Sequence, residues 1–180
     1  LDSEMVSPIH AELVKHGVNL RLNETVTGFE QNKDGSILAG LKSGQTEKAD
    51  LVILSIGVRP EIKLAEEAGL KIGRRGGIHV DKQMRTSDEK IWAVGDAVEV
   101  KDVVTGQFEV IPLAGPANRQ GRIAADTIMG RDSEFRGVQG TSVVGIMGLV
   151  VAFTGATEKT LRSMEIWDQP APFEKIYLHP

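Results

Sequence analysis

Three stretches of this chain hold residues whose types and spacing suit ligand chemistry. The first is Ile91-Trp92-Ala93-Val94-Gly95-Asp96-Ala97, a short apolar run that ends in Gly-Asp-Ala. Ligands of α/β sheets gather at the carboxyl ends of strands, and such an ending is where they would meet this chain. Gly95 would let a ligand come close to the backbone. The Asp96 carboxylate could accept hydrogen bonds from a sugar or ribitol hydroxyl, and charge-assisted bonds are about twice as strong as neutral ones. Taken alone, Gly-Asp also fits a plain turn. The second stretch is Ile111-Pro112-Leu113-Ala114-Gly115-Pro116-Ala117-Asn118-Arg119-Gln120-Gly121-Arg122. It reads as the start of a helix, whose free N–H groups and about half a positive charge favour an anionic or electron-rich ligand. The small residues Ala114, Gly115, Ala117 and Gly121 allow close approach or, equally, tight helix–sheet packing. The third is Ala49 to Pro60, an apolar strand broken by Gly57-Val58-Arg59-Pro60. There the glycine ends a strand, X-Pro makes a rigid turn, and Arg59 reads as a structural ion-pair residue.

The elements that must position these residues follow from periodicity and turn chemistry. Ser3 to His16 places Met5, Ile9 and Leu13 on one helical face, and Gly17 stops it. Val18 to Leu22 alternates as a half-buried strand does. Glu24 to Gln31 and Ser36 to Lys42 flank the hairpin signal Asn32-Lys33-Asp34-Gly35, and Ser43-Gly44-Gln45 makes a second turn. Leu51 to Ile56 is apolar without alternation, the pattern of a strand covered on both faces. Glu61 to Ala68 reads as a helix stopped by Gly69. Gly76 to Val80 and Ile91 to Val94 read as strands, and Val98 to Val104 pairs with Gln107 to Ile111 across Thr105-Gly106. Gly115 to Met129 forms a helix, with Pro116 in the first turn where a missing N–H costs little. Ser142 to Val151 is β-branched, Thr157 caps a short helix reaching Ser163, and Glu174 to Leu178 is a final strand. The fold class is therefore α/β in a mixed α+β arrangement.

Composition narrows the function. The chain has 180 residues, 41% of them hydrophobic and 26% charged, with 20 glycines and 4% aromatics. That balance builds a core and suits a backbone that approaches a ligand closely. With 21 Lys+Arg against 25 Asp+Glu the net charge is −4, without the basic footprint of a nucleic-acid binder. The pair Arg74-Arg75 is too small for such a patch. Cysteine is absent, which excludes a disulfide scaffold, a thiolate metal site and any thiol chemistry carried by these residues. His10, His16, His79 and His179 lack metal-ligand spacing, so no metal is expected. Asn23-Glu24-Thr25 matches a glycosylation sequon, with no other sign of secretion. Met147, Phe153 and Trp167 read as core or interface. The apolar stretch from Val143 to Ala156 is too short to span a membrane. The acidic opening Leu1-Asp2-Ser3-Glu4 lacks Met and lacks a basic leader, so a cytoplasmic protein is expected.

Residue by residue, these stretches resemble the pyridine nucleotide-disulfide oxidoreductases, the flavoprotein disulfide reductases. Thr86, Ile91, Ala93, Val94, Gly95, Asp96 and Ala97 match that family's second FAD fingerprint, a threonine, a spacer, an apolar strand and Gly-Asp. The resemblance assigns the FAD ribitol to Asp96. It also makes Gly57, Gly95, Asp96, Ala97, Leu113, Ala114 and Ala117 the cofactor-binding positions. Gly57 falls on the family's turn between the NAD and FAD domains, close to both cofactors. Ala114 to Arg122 falls on the helix whose N-terminus faces the flavin pyrimidine edge. The wording Pro-Leu-Ala-Gly-Pro-Ala-Asn-Arg-Gln-Gly-Arg is most similar to the branch of CoA-disulfide reductases, NADH-dependent persulfide reductases and NADH oxidases. Gly140 to Val144 and Val150 to Leu161 look like the opening of that branch's dimerisation domain. One departure is Gly145-Ile146-Met147-Gly148, where the branch has a basic and then an aromatic residue. Tyr177 to Pro180 resembles the segment before the family's interface loop.

The resemblance implies three parts. Residues 1–59 would end an NAD(P)-binding domain of Rossmann type. Residues 60–135 would be the returning segment of a three-layer FAD domain, and 136–180 the start of an α+β dimerisation domain. No Gly-x-Gly-x-x-Gly and no redox cysteine occurs here. The chain is thus expected to be a C-terminal fragment with no catalytic residue of its own, inactive alone and completed by the missing N-terminal half. The implied parent uses FAD and NAD(P)H, pairs as a homodimer, and passes reducing equivalents to a disulfide, persulfide or CoA-disulfide. The alternatives are an NADH oxidase or peroxidase of the same family, or a non-catalytic interaction module acting through Val143 to Phe153.

Overall fold

Asn32-Lys33-Asp34-Gly35 turns the chain sharply in the computed structural model, which describes residues 2–163 and 177–179. Asp34 Oδ1 accepts the Ser36 N–H at 3.0 Å and the Ser36 hydroxyl at 2.6 Å, and Gly35 adopts φ +85°. The turn joins β1 (Val26–Gln31) to β2 (Ile37–Leu41), with Phe29 opposite Ala39. Ser43-Gly44-Gln45 then returns the chain as β3 (Thr46–Ala49), which completes an antiparallel meander in the order β1-β2-β3. Ala39 and Leu41 are its buried apolar residues, while β1 is exposed along its length. The meander belongs to a compact unit, Leu13–Val58, distinct from a second unit made of Leu1–Glu12 and Arg59–Pro180.

Two strands expected in the first unit do not form. Val18 to Leu22 runs as turn and coil. Leu51 to Ile56 is coil as well, and Leu51, Ile53 and Ile56 are 70%, 81% and 89% exposed. The reason is that a strand exists only as one rung of a ladder. Nothing among the described residues pairs with this run, and only Val52 is half-buried, so its backbone and most of its apolar side chains face solvent.

α1 (Ser3–Lys15), whose residues up to Glu12 belong to the second unit, buries Ile9 and half-buries Met5, two residues that four-residue spacing puts on one face. α2 (Lys63–Glu67) is stopped by Gly69 at φ +71°. A small sheet follows. β4 (Ile78–His79) lies parallel to β5 (Val98–Lys101), which pairs antiparallel with β6 (Phe108–Val110). α3 (Ala114–Ile128) lays Gln120, Ile123, Ala124 and Thr127 inward at i, i+3, i+4, i+7 spacing. Ile123 and Ala124 join Val80, Met84, Val98, Val100, Phe135 and Val138 in one buried cluster. Ile91 to Val94, expected as a strand, makes only a single bridge, Arg85 to Trp92. Around that bridge the Thr86 N–H donates to the Ile91 carbonyl at 2.9 Å and the Ala93 N–H to the Met84 carbonyl at 3.1 Å.

The stretch after Gly140 forms a second antiparallel sheet in the order β7-β8-β9, from β7 (Ser142–Ile146), β8 (Leu149–Phe153) and β9 (Tyr177–His179). Met147 and Gly148 turn β7 into β8, both at positive φ. Thr157 caps α4 (Glu158–Ser163) as expected, its hydroxyl accepting the Thr160 N–H at 3.1 Å. The Asp2 carboxylate adds bonds from the N–H groups of Glu158 at 3.1 Å and Lys159 at 3.4 Å. Trp167, Pro180 and the first part of the expected last strand lie outside the described residues. No helix among the described residues is long and apolar enough to cross a membrane.

Candidate functional site

Gly95 to Val98 forms a tight turn whose ends are fixed at three points. The Gly95 N–H donates to Gln120 Oε1 at 2.7 Å, the Gly95 carbonyl accepts the Val98 N–H at 3.4 Å, and the Ala97 carbonyl accepts the Ile78 N–H at 2.8 Å. Gly95 sits at φ +91°, a region that L side chains rarely adopt, so glycine is needed here for conformation. Asp96 occupies the tip. It is exposed, and its carboxylate has no hydrogen bond or ion pair among the described residues. A fixed backbone thus presents a free anionic acceptor, where an ordinary surface Asp would sit on a mobile loop.

The segment leading into this turn lies along α3. Trp92 Nε1 donates to Thr127 Oγ1 at 3.0 Å, and three residues later Gly95 bonds Gln120. The lengths agree. Seven helical residues rise about 10.5 Å at about 1.5 Å each. Three extended residues span about 10 Å at about 3.3 Å each. The segment therefore runs antiparallel to the helix with a tie at each end, while its backbone bonds to the 84–88 stretch, Ala93 N–H to the Met84 carbonyl at 3.1 Å and Thr86 N–H to the Ile91 carbonyl at 2.9 Å. The Arg85 guanidinium lies 5.3 Å from the centroid of the Trp92 ring and covers its face.

This docking sets the Asp96 turn near the N-terminal half of α3. Leu113 is the N-cap, with extended φ −130° and ψ 135° and no side-chain cap. Its N–H bonds the Ile111 carbonyl at 2.9 Å, and Ala117 bonds back to Leu113 at 3.1 Å. Pro116 has no N–H, so Ala114 and Gly115 hold the free backbone donors of this helix end. Small side chains leave them accessible, since a Cβ added at Gly115 would meet nothing within 4 Å.

Of the positions expected to hold a cofactor, the structure therefore links two groups. Gly95, Asp96 and Ala97 form the turn, Leu113, Ala114 and Ala117 form the helix start, and Gln120 joins them. Gly57 lies in the exposed coil of the other unit at φ +94°. Arg59 is exposed and makes no ion pair among the described residues, so the pairing expected for it is not formed. Gln120 carried no role in the sequence reading. Its signal was a polar residue on the inward face of α3, in line with Ile123, Ala124 and Thr127.

The donor set suits a flavin nucleotide. The turn offers an acceptor for a polyol hydroxyl, and the helix end offers donors to an electron-rich ring edge. Among the described residues no group of His, Asp and Glu could hold a metal ion.

Comparison with known proteins shows the family. Residues 1–121 match the family model described as pyridine nucleotide-disulphide oxidoreductase. The chain is 39% identical over 157 residues to the NAD(P)H sulfur oxidoreductase (CoA-dependent) of Pyrococcus furiosus, covering 87% of this chain and 35% of that protein. It is 31% identical over 166 residues to the coenzyme A disulfide reductase of Staphylococcus aureus, covering 92% of this chain and 37% of that one. The structure of reduced Bacillus anthracis CoADR-RHD superposes with a TM-score of 0.86 at 46% identity, covering 92% of this chain and 29% of the other. The NAD-dependent persulfide reductase from A. fulgidus gives 0.87 at 36% identity, covering 92% and 30%. The chain spans little more than a third of the length of the curated relatives it matches. With two thirds of its residues inside one family model, and with the Gly-Asp turn and the open helix end that the motifs predicted, the chain belongs to the pyridine nucleotide-disulphide oxidoreductases.

Proposed function

We propose that this chain is the flavin-facing part of a longer FAD-dependent enzyme that draws reducing equivalents from NAD(P)H and delivers them to a disulfide, persulfide or CoA-disulfide. The observation that carries the reading is the Gly95–Val98 turn, fixed at three points and offering an unpartnered Asp96 carboxylate beside α3. FAD, when bound, supplies the two-electron carrier between nicotinamide and acceptor. Asp96 accepts a ribitol hydroxyl. The free N–H groups of Ala114 and Gly115 favour negative charge at the ring edge they face, which favours the reduced form. Gly95, Ala97, Leu113 and Ala117 let that edge come close. Gly57, without a side chain, leaves room where the two cofactors meet.

The remaining parts of the reading concern the whole protein. The redox thiol and both dinucleotide fingerprints belong to an N-terminal half that completes this chain. Residues 1–59, 60–135 and 136–180 serve as the end of an NAD(P) domain, the returning FAD segment and the start of a dimerisation domain. The exposed Val143, Val144 and Val150 of β7 and β8, with Met147 in the turn between them, supply apolar surface for a homodimer. A second acceptor, oxygen, is favoured by the similarity to the NADH oxidase of Methanocaldococcus jannaschii, at 37% identity over 160 residues.

The test is the Asp96→Ala variant of the full-length protein. Loss of one charge-assisted hydrogen bond, worth about 1.5–3 kcal/mol, lowers flavin retention about tenfold or more. Unchanged flavin content in that variant overturns the Asp96 assignment. The 180-residue chain alone binds no FAD tightly and does not oxidise NADH, and turnover by the purified piece overturns that part.

A further inference from the structure

We infer that Gln120 is a positioning residue for the flavin site, setting the register of the Asp96 turn against the N-terminus of α3; this rests on the flavin reading above. Gln120 is only 1% exposed, in a row otherwise occupied by Ile123, Ala124 and Thr127. A buried amide costs free energy unless its polar atoms are used. Its Oε1 is used, taking the Gly95 N–H at 2.7 Å.

The turn has two halves, and they are held by different elements. Its second half is tied to the sheet, through the Ala97 carbonyl and the Ile78 N–H at 2.8 Å. Its first half is tied to the helix, through Gln120. The sheet bond fixes where the turn sits along β4 and β5. It does not fix the distance from Asp96 to the start of α3, because the helix is a separate element. The Gln120 bond does fix it, and it does so from two turns away from the second tie, Trp92 to Thr127 at 3.0 Å.

Two ties on one helix face leave little freedom to slide. If the nearer tie is lost, the segment still hangs from Thr127, but the Gly95 end is released by the length of an amide side chain. A flavin that must satisfy Asp96 at one end and the free N–H groups of Ala114 and Gly115 at the other would then meet them at the wrong spacing. Gln120 therefore acts through Gly95 and Asp96 and need not touch the cofactor itself. The effect of removing it falls on cofactor affinity and on the flavin environment.

The experiment uses the full-length protein. Gln120→Met keeps the shape and removes the acceptor. Gln120→Glu keeps an acceptor oxygen whether or not the carboxyl is charged. The readouts are the FAD dissociation constant, the visible circular dichroism of bound flavin, and the melting temperature of the flavin-free protein. Gln120→Met raises the dissociation constant about three- to tenfold, the worth of one buried hydrogen bond, and changes the dichroism of the flavin that remains. Gln120→Glu restores most of the affinity. A Gln120→Met protein that melts lower but binds FAD with unchanged affinity and spectrum overturns the inference, since Gln120 would then be a packing residue only. If Gln120→Met does not fold, Gln120→Asn, whose amide is one methylene shorter, is read by the same criteria. If the unmodified protein binds no flavin, the flavin reading itself fails, and that outcome is distinct from a flavin-binding protein indifferent to position 120.

Discussion

Trp92 Nε1 donates to the hydroxyl of Thr127 at 3.0 Å, and that hydroxyl lies 3.0 Å from the Ala124 carbonyl and 3.2 Å from the Gln83 carbonyl. One buried side chain thus serves as acceptor for an indole and as donor to the backbone. Thr127→Val keeps the shape and removes both functions. It leaves the half-buried indole N–H without an acceptor, which costs about 1–3 kcal/mol. Denaturant unfolding followed by circular dichroism measures the loss. A midpoint that does not move would mean that Trp92 finds water instead.

Two glycines at similar backbone angles separate conformational from steric cost. Gly95 has φ +91° and open space around a would-be Cβ. Gly137 has φ +103°, and a Cβ there would fall 2.5 Å from the Lys101 carbonyl oxygen and 2.8 Å from Val103. Gly95→Ala therefore costs about 1–2 kcal/mol, the penalty of left-handed backbone alone. Gly137→Ala adds overpacking, for a total of about 3 kcal/mol or more. Thermal melts of the two variants rank them, and equal losses would refute the steric argument.

The hairpin turn carries a pH dependence. The Lys48 ammonium, 2.8 Å from Asp34 Oδ2, together with the Ser36 hydroxyl and N–H, lowers the Asp34 pKa from 3.8 to about 2. The folded hairpin therefore holds the proton less readily than the unfolded chain. Its contribution is complete above pH 3.8 and is lost as the pH falls toward about 2. Lys48→Met moves the Asp34 value back up, which an NMR titration of the carboxyl carbon detects. A titration curve unchanged by Lys48→Met would show that the Ser36 bonds suffice.

The parts of the fold that were legible in the sequence are those that local chemistry decides. Asn32-Lys33-Asp34-Gly35 specifies a turn by its own side chains, and α3 is bracketed by Pro116 in its first turn and by Gly130 just past its end. Leu51 to Ile56 is coil despite its composition because an apolar run reports what the segment would bury, while forming a strand depends on neighbours elsewhere. β3 escaped notice for the opposite reason. Thr46-Glu47-Lys48-Ala49 is polar, and it is a strand because its backbone N–H and C=O groups pair with those on the open edge of β2. The candidate site shows the same division. Gly95 and Asp96 were legible as a motif, while the role of Gln120 depends on the tertiary approach of two segments 25 residues apart.

Leu51-Val52-Ile53-Leu54-Ser55-Ile56 has a consequence for colloidal behaviour. It is six residues long, uncharged, free of Pro and Gly, rich in β-branched side chains, and exposed in an unpaired backbone. Those are the properties of segments that stack into cross-β zippers. Asp50 and Arg59 bracket the run with opposite charges, as gatekeeper residues do beside unavoidable hydrophobic strands. In the chain by itself, this segment satisfies its backbone either with water or with a copy of itself, and the second choice gains with concentration.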